Sequence, residues 1–127
     1  MKKNSDSWAH TTGQEIVLDI RSSAGEAAEH GRLTVAVQNP SSATASPFMF
    51  TYRSGSTGTS DTGLRLGSSN VTKDSVSDGK WHHYAITAQT SGSNTVFKLF
   101  VDGKLDHTAT GAYTLGPIET PLTGTIG

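Results

Sequence analysis

Apolar and polar residues alternate in six separate segments of the chain, and this pattern restricts the fold before any motif is considered. Alternate side chains of a β-strand point to opposite faces, so a period of two lays one apolar row on a sheet. The only helical hint is residues 24–30, which lack an apolar stripe. An all-β fold is therefore predicted. The six segments are residues 14–21, 32–38, 47–53, 63–67, 81–89 and 95–101.

The apolar rows also predict which side chains are buried. Residues 95–101 are apolar on both faces, which indicates a central strand covered on two sides. Val17 alone breaks the alternation in its segment. The residues of the first two segments that are expected to face water are Glu15, Asp19, Arg21, Arg32, Thr34 and Gln38. Loss of the Trp81 side chain is expected to be severe. The inward residues of the first three segments are Ile16, Leu18, Ile20, Leu33, Val35, Val37, Phe48, Phe50 and Tyr52, and the centre of the core is predicted to be Trp81, Tyr84, Ile86, Phe97, Leu99 and Val101.

Turn residues connect the last predicted strands. Asp102-Gly103 follows residues 95–101, and Asp-Gly is a preferred pair for a two-residue type I′ turn because both positions need positive φ. Residues 91–94 provide a slightly longer hairpin loop before that strand. A three-stranded meander over residues 81–108 is predicted, whereas the polar runs 41–46 and 54–62 are predicted to be loops.

Composition excludes several classes of protein. A length of 127 residues allows one domain, assigned to residues 14–127 after an N-terminal segment 1–13. A net charge of −1 provides no positive field for nucleic acid or an anionic membrane, and no apolar run is long enough to insert into a bilayer. The absence of cysteine excludes disulfides and thiolate zinc sites. Ser, Thr, Gly and Pro supply 52 of the 127 residues, which favours short strands joined by turns.

Residues 78–87, DGKWHHYAIT, followed by residues 97–105, FKLFVDGKL, resemble the hairpin of laminin-G-like, concanavalin A-like jelly-roll domains. The resemblance implies an antiparallel two-sheet sandwich that binds glycans or proteins as part of a larger extracellular, cell-surface or phage protein. Members of that family usually continue past a segment such as residues 121–127 into a further strand. We therefore expect a sandwich that lacks its last strand, and an open edge that a second copy or a partner strand fills.

Catalysis is not expected from the carboxylates. A retaining glycosidase needs an acid and a nucleophile about 5 Å apart, whereas Glu15 and Asp19 are roughly 13 Å apart along a strand. No E-x-D-x-x-E and no G-x-S-x-G sequence is present. Adjacent strand residues point to opposite faces, so His82 and His83 are not expected to share a metal ion. One of them is expected to pack on Trp81 or to bond a neighbouring strand.

Sugar binding usually combines an aromatic ring with planar polar groups. The chain offers such groups at predicted strand ends. The candidate ligand-binding residues are Tyr52, Arg53, Arg65, His107 and Tyr113. No cofactor is expected. The resemblance leaves one alternative open, since some laminin-G-like domains hold a rim calcium, and the loop oxygens of Asp61, Asn70 and Asp74 are the candidates here. Solvated turn residues are the favoured interpretation.

Two functional hypotheses follow, and both are non-enzymatic. The first is a carbohydrate-binding or adhesion module of a larger surface or secreted protein, with a glycan or protein ligand. The second is a structural or assembly module of a phage or viral particle or fibre, associating through an open sheet edge. Either places the domain outside the cell, on its surface or on a virion, although the first residues show no apolar export segment.

Overall fold

The computed structural model describes residues 1–4, 8, 14–22, 31–39, 45–59, 64–67, 70–118 and 121–127. Within them lie eleven strands and one short helix. In chain order these are β1 Lys2–Asn4, β2 Gln14–Ser22, β3 Gly31–Gln38, β4 Phe48–Ser54, β5 Thr57–Gly58, β6 Leu64–Leu66, α1 Lys73–Val76, β7 Asp78–Trp81, β8 Tyr84–Ser91, β9 Asn94–Val101, β10 Lys104–Gly111 and β11 Leu122–Ile126.

All the strand pairs are antiparallel and form three sheets. The larger sheet has the order β11-β2-β3-β4-β5, with β6 also paired to β4. The smaller sheet has the order β10-β9-β8, and β1 pairs with β7. The all-β, antiparallel prediction is confirmed, and so is the meander of the last predicted strands. Asp102 and Gly103 have φ of 50° and 80°, as a type I′ turn requires.

Three local predictions were incomplete. The expected strand 81–89 is interrupted, because β7 ends at Trp81 and β8 begins at Tyr84. The polar run after Ser54 is not entirely loop, since Thr57 and Gly58 fold back onto β4 as a short hairpin. Helix α1 was missed: Thr72 caps it by accepting a hydrogen bond from the backbone N–H of Ser75, which holds a single turn without an apolar stripe. The helical hint at 24–30 lies outside the described residues.

A β-bulge explains the irregular residue of β2. Ile16 is paired with Ala36 but Leu18 is paired with Val35, so Val17 is the additional residue between them. The extra residue lets Val17 pack against the core while Leu18 and Ile20 line the space between the sheets. A bulge changes which face receives the following side chains, and a strict period of two cannot describe it.

The core lies where β4 and β6 face β9. The rings of Phe50 and Phe97 are 5.3 Å apart between centroids, and those of Phe48 and Tyr84 are 4.7 Å apart. Leu66 is fully buried in this layer. The contacts join the larger sheet to the smaller one as a sandwich, consistent with the predicted fold class. The buried cluster is Val37, Phe48, Phe50, Leu66, Val71, Val76, Phe97 and Leu99.

Three burial predictions were wrong. Ile16, expected to face inward, is paired with Ala36, whereas Leu18 is paired with Val35, so Ile16 lies on the opposite face of the sheet from Leu18 and Ile20. Trp81, expected at the centre of the core, is 78% exposed because it ends β7 and lines the open cleft, not the buried core. Thr34, expected on the solvent side, is buried and donates a hydrogen bond of 2.8 Å to Asp19. The remaining core predictions hold: Phe97 and Leu99 are buried, and Tyr84, Ile86 and Val101 pack against them.

One end of the sandwich is closed by residues 112–118, which cross from β10 towards the larger sheet. The Tyr113 ring lies 6.3 Å from that of Phe97, and its carbonyl accepts a hydrogen bond from Thr95. The Tyr52 hydroxyl donates to the Gly116 carbonyl. Within the described part of the chain, no helix is long and apolar enough to cross a membrane.

Candidate functional site

The ends of the β7 and β9 strands meet around one imidazole. His82 Nδ1 lies 2.7 Å from Asp102 Oδ2, and its Nε2 lies 3.2 Å from Asp78 Oδ1. Each aspartate is itself fixed by the backbone, because Asp78 accepts from the N–H of Lys80 and Asp102 from the N–H of His83. The two aspartates belong to the motif on which the family resemblance rests. The prediction that a histidine bonds a neighbouring strand is confirmed at His82.

The charges of this cluster reinforce one another. The hydrogen bond to Asp102 raises the pKa of His82, and burial opposes it only in part. The bond to His82 in turn lowers the pKa of Asp102, whereas the pKa of Asp78 is lowered first by the Lys80 N–H. Burial raises the pKa of Tyr84 to about 12. An imidazolium held between two carboxylates is therefore favoured in the folded chain.

This arrangement predicts a pH-dependent contribution to stability. Because the folded-state pKa of His82 lies above its ordinary value of 6.5, the stabilisation is fully present below 6.5 and is lost as the pH rises through the folded-state pKa. Urea unfolding should show that His82→Gln costs more stability at about pH 5.5 than at about pH 8.5, and the difference should be small because solvent screens the pair. An equal cost at both values would contradict the assignment, and the His83→Gln variant is the control.

Trp81 stands beside this cluster with its indole in solvent. This residue is 78% exposed, compared with 54% for Leu105 of β10. Its backbone is paired with Lys2 of β1, and the next residue donates its N–H to the Met1 carbonyl at 3.0 Å. Lys80, which precedes it, is exposed and lies 3.5 Å from Asp78. An exposed indole on a hydrogen-bonded strand, lining the same cleft as His82, His83 and Asp102, forms an accessible aromatic platform.

Behind Trp81 an apolar cleft of about 930 Å³ opens between the two sheets. The larger sheet lines it with residues of β2, β3 and β4, and the smaller sheet lines it with residues of β8. His82, His83 and Asp102 supply ionisable groups to the lining, and the Trp81 indole also lines the cleft. The principal apolar lining residues are Val17, Leu18, Ile20, Leu33, Val35, Tyr84 and Ile86.

The predicted ligand residues occupy two regions. Tyr52 and Tyr113 lie at the closed end of the sandwich, where both pack against the core. Arg65 donates to the Ser46 carbonyl and to Gln38, and the His107 Nδ1 accepts the N–H of Gly67. Arg53 also has a partner. The sequence thus located polar and aromatic groups that make internal contacts, and their role in binding stays a prediction.

The calcium candidates do not form a recognisable site in the described residues. Asp61 lies outside them, Asn70 is exposed, and Asp74 is exposed in the first turn of α1. No group of three or more His, Asp or Glu side chains placed to hold a metal ion is found in the described ranges. The calcium alternative therefore remains a prediction.

Sequence reasoning missed the position of Trp81 because it treated residues 81–89 as one strand. The pairing of β1 with β7 breaks that strand at His82 and His83 and leaves the indole outside. A signal was present: Trp81 and Ile86 are five residues apart, so an uninterrupted strand would have put them on opposite faces. The contact with β1, 79 residues away along the chain from Lys2 to Trp81, carries no local pattern.

Comparison with known proteins agrees with the geometry. Residues 6–127 match the Laminin_G_3 family model, described as the concanavalin A-like lectin/glucanases superfamily. No curated protein and no solved structure matches the chain. The match covers nearly the whole chain, including both sheets and the His82 cluster. The chain therefore belongs to the Laminin_G_3 family of the concanavalin A-like lectin/glucanases superfamily.

Proposed function

We propose that this domain is a non-catalytic carbohydrate-binding module that holds its glycan on Trp81. The observation that carries the proposal is the 78% exposure of a tryptophan fixed on a paired strand. Holding a large apolar ring in water has no benefit for the fold, whereas the apolar face of a pyranose stacks well on such a ring. The proposed site is Trp81 with His82, His83 and Asp102, which line the same cleft as the indole.

The surroundings of the indole supply what a sugar ring also needs. Hydroxyl groups take hydrogen bonds from planar or charged side chains around the platform. His82, His83 and Asp102 line the same cleft as Trp81, and Asp102 is held by His82 at 2.7 Å. One stacking contact and a few solvent-exposed hydrogen bonds leave much of the ligand wet. We therefore expect dissociation constants in the high-micromolar to millimolar range, with avidity from multivalent display.

Four of the described carboxylates support a non-catalytic role. A glycosidase acid must hold its proton at neutral pH, which requires a raised pKa. The pKa values of Asp19, Asp78 and Asp102 are all shifted downwards. Glu15 is held by Lys3 at 2.7 Å. The remaining glutamates, Glu26, Glu29 and Glu119, lie outside the described residues.

The test is a multivalent glycan array followed by titration of each hit with variants. Trp81→Ala should abolish detectable binding, because it removes the stacking surface, and should change the free energy of unfolding by less than about 1 kcal/mol, as for other exposed positions. Leu105→Ala is the matched control, since Leu105 is another exposed apolar residue, 54% exposed, and lies in β10. It should bind like the parent.

The other outcomes are equally informative. Unchanged binding in Trp81→Ala, with binding lost in Tyr52→Ala and Tyr113→Ala at parental stability, would move the site to the closed end of the sandwich. If the domain binds none of the glycans on the array, the proposal of glycan binding is rejected. Cleavage of any arrayed sugar would overturn the non-catalytic proposal. We further propose that the module acts within a larger extracellular, cell-surface or virion protein, where repeated copies provide the avidity.

A further inference from the structure

The apolar cleft lies beside an edge strand and is lined by apolar side chains of both sheets. Strand β8 is the edge of the smaller sheet, and in the described residues no strand pairs with its outer side. Tyr84, Ile86 and Ala88, which alternate along β8, face the cleft. An edge strand beside an apolar floor offers main-chain hydrogen bonds and pockets for alternate side chains at once. A sugar would find few polar partners there, so an extended polypeptide is the better occupant.

The floor of the cleft continues to the far edge of the larger sheet. In β11, Leu122, Gly124 and Ile126 are paired with Ser22, Ile20 and Leu18 of β2. Directly paired residues project from the same face of a sheet. Leu18 and Ile20 line the cleft, so Leu122 and Ile126 lie on the same inner face, where they are 51% and 84% exposed. In the described residues, Leu18 and Ile20 are partly exposed and Leu122 and Ile126 are exposed, so this face carries an incompletely covered apolar surface that ends beside the buried Ser22.

The two edges beside this surface carry no protection against pairing. Exposed edge strands usually avoid association through charged side chains or proline. Neither β8, YAITAQTS, nor β11, LTGTI, contains a charged residue or a proline. By contrast β10, the other edge of the smaller sheet, contains Lys104 and Asp106. Among the other described edges of the larger sheet, β6 carries Arg65, and β5 is uncharged but only two residues long. The two longer uncharged edges, β8 and β11, therefore border the same apolar surface.

From these features we propose that two copies of this chain close each other's clefts, with β8 of each copy lying beside β11 of the other. A two-fold axis running along the strands between the layers brings the inner faces of the two β2–β11 pairs together. The smaller sheet of each copy then forms one continuous sheet with the larger sheet of its partner, through the pairing of β8 with β11. The apolar inner faces of both β2–β11 pairs are covered. The contact is isologous, because the same chain supplies both matched edges.

Sedimentation of the full chain over a range up to tens of micromolar tests the proposal. We expect a monomer–dimer equilibrium that Ile126→Lys shifts to monomer by at least about tenfold in Kd, since a lysine would be buried in the apolar interface. Thr125→Lys is the matched control: it places the same charge on the preceding residue of β11, on the opposite face, and should still dimerise. Circular dichroism checks that both variants keep the parental fold.

Hydrogen exchange supplies the second readout. Alternate amides of β8 should become protected as the concentration rises, and Ile126→Lys should remove this protection. A parent chain that is monomeric with freely exchanging β8 amides at every concentration would overturn the proposal and leave the cleft to a strand of another polypeptide. A dimer that survives Ile126→Lys, or open-ended polymers, would also overturn it. Glycan binding by Ile126→Lys is scored separately, so the two proposals fail independently.

Discussion

Phe97→Ala should lower the free energy of unfolding by about 3–5 kcal/mol, the usual cost of truncating a fully buried aromatic ring. Phe97 has no exposed surface and lies between the sheets, with its ring next to those of Phe50 and Tyr113. Both sheets lose contacts, and the residues at the closed end lose their anchor. Against a total stability of about 5–15 kcal/mol, the variant should be close to unfolding at room temperature. Urea denaturation followed by tryptophan fluorescence measures the change.

Phe100→Ala is the control for this change. Phe100 lies in the same strand three residues later, on the opposite face, and is only partly buried. Its truncation should therefore cost clearly less than that of Phe97. Equal losses in the two variants would mean that the outer face of β9 is as well packed as the inner face, which would contradict the sandwich as described.

The sequence was most informative where the chain folds locally. The alternation in residues 32–38 and 95–101 located β3 and β9 to within a residue, and Asp102-Gly103 identified the turn, because these features depend only on neighbours along the chain. The bulge at Val17 and the β1–β7 pair could not be read in this way. Both depend on which strand lies alongside, and a single residue's slip exchanges the two faces.

The site was harder to predict for the same reason. Tyr52 and His107 were singled out as polar groups at strand ends, but the segments that satisfy them, through Gly116 and Gly67, come from distant parts of the chain. Trp81 was assigned to the core because apolar character is the only property that a sequence pattern reports. Whether a tryptophan is inside or outside depends on the position of β1. The absence of the family's last strand remains a prediction, although β11 itself is now seen to pair with β2.

Gly58→Ala should be the most damaging of the small substitutions, with a loss of about 1–3 kcal/mol from backbone strain alone. Gly58 has a φ of 134°, which L-residues rarely adopt. An added Cβ would also overlap the backbone carbonyl oxygen of Tyr52 and come within 3.0 Å of the Arg53 Cα. These atoms belong to the β4 backbone and cannot rotate away as a side chain could. The short hairpin of Thr57 and Gly58 should therefore detach from β4, and thermal unfolding should move to lower temperature.

Gly103→Ala separates the two causes. Gly103 also has a positive φ, 80°, but no atom lies within 4 Å of the added Cβ. Gly103→Ala should therefore lower the free energy of unfolding only by the conformational cost, about 1–2 kcal/mol. If the two variants lose equal stability, steric overlap with β4 contributes nothing and the close approach of Gly58 to Tyr52 is wrong. If Gly58→Ala loses more, and amides of β4 near Tyr52 exchange faster in that variant alone, the glycine is required because the returning strand passes directly over the β4 backbone.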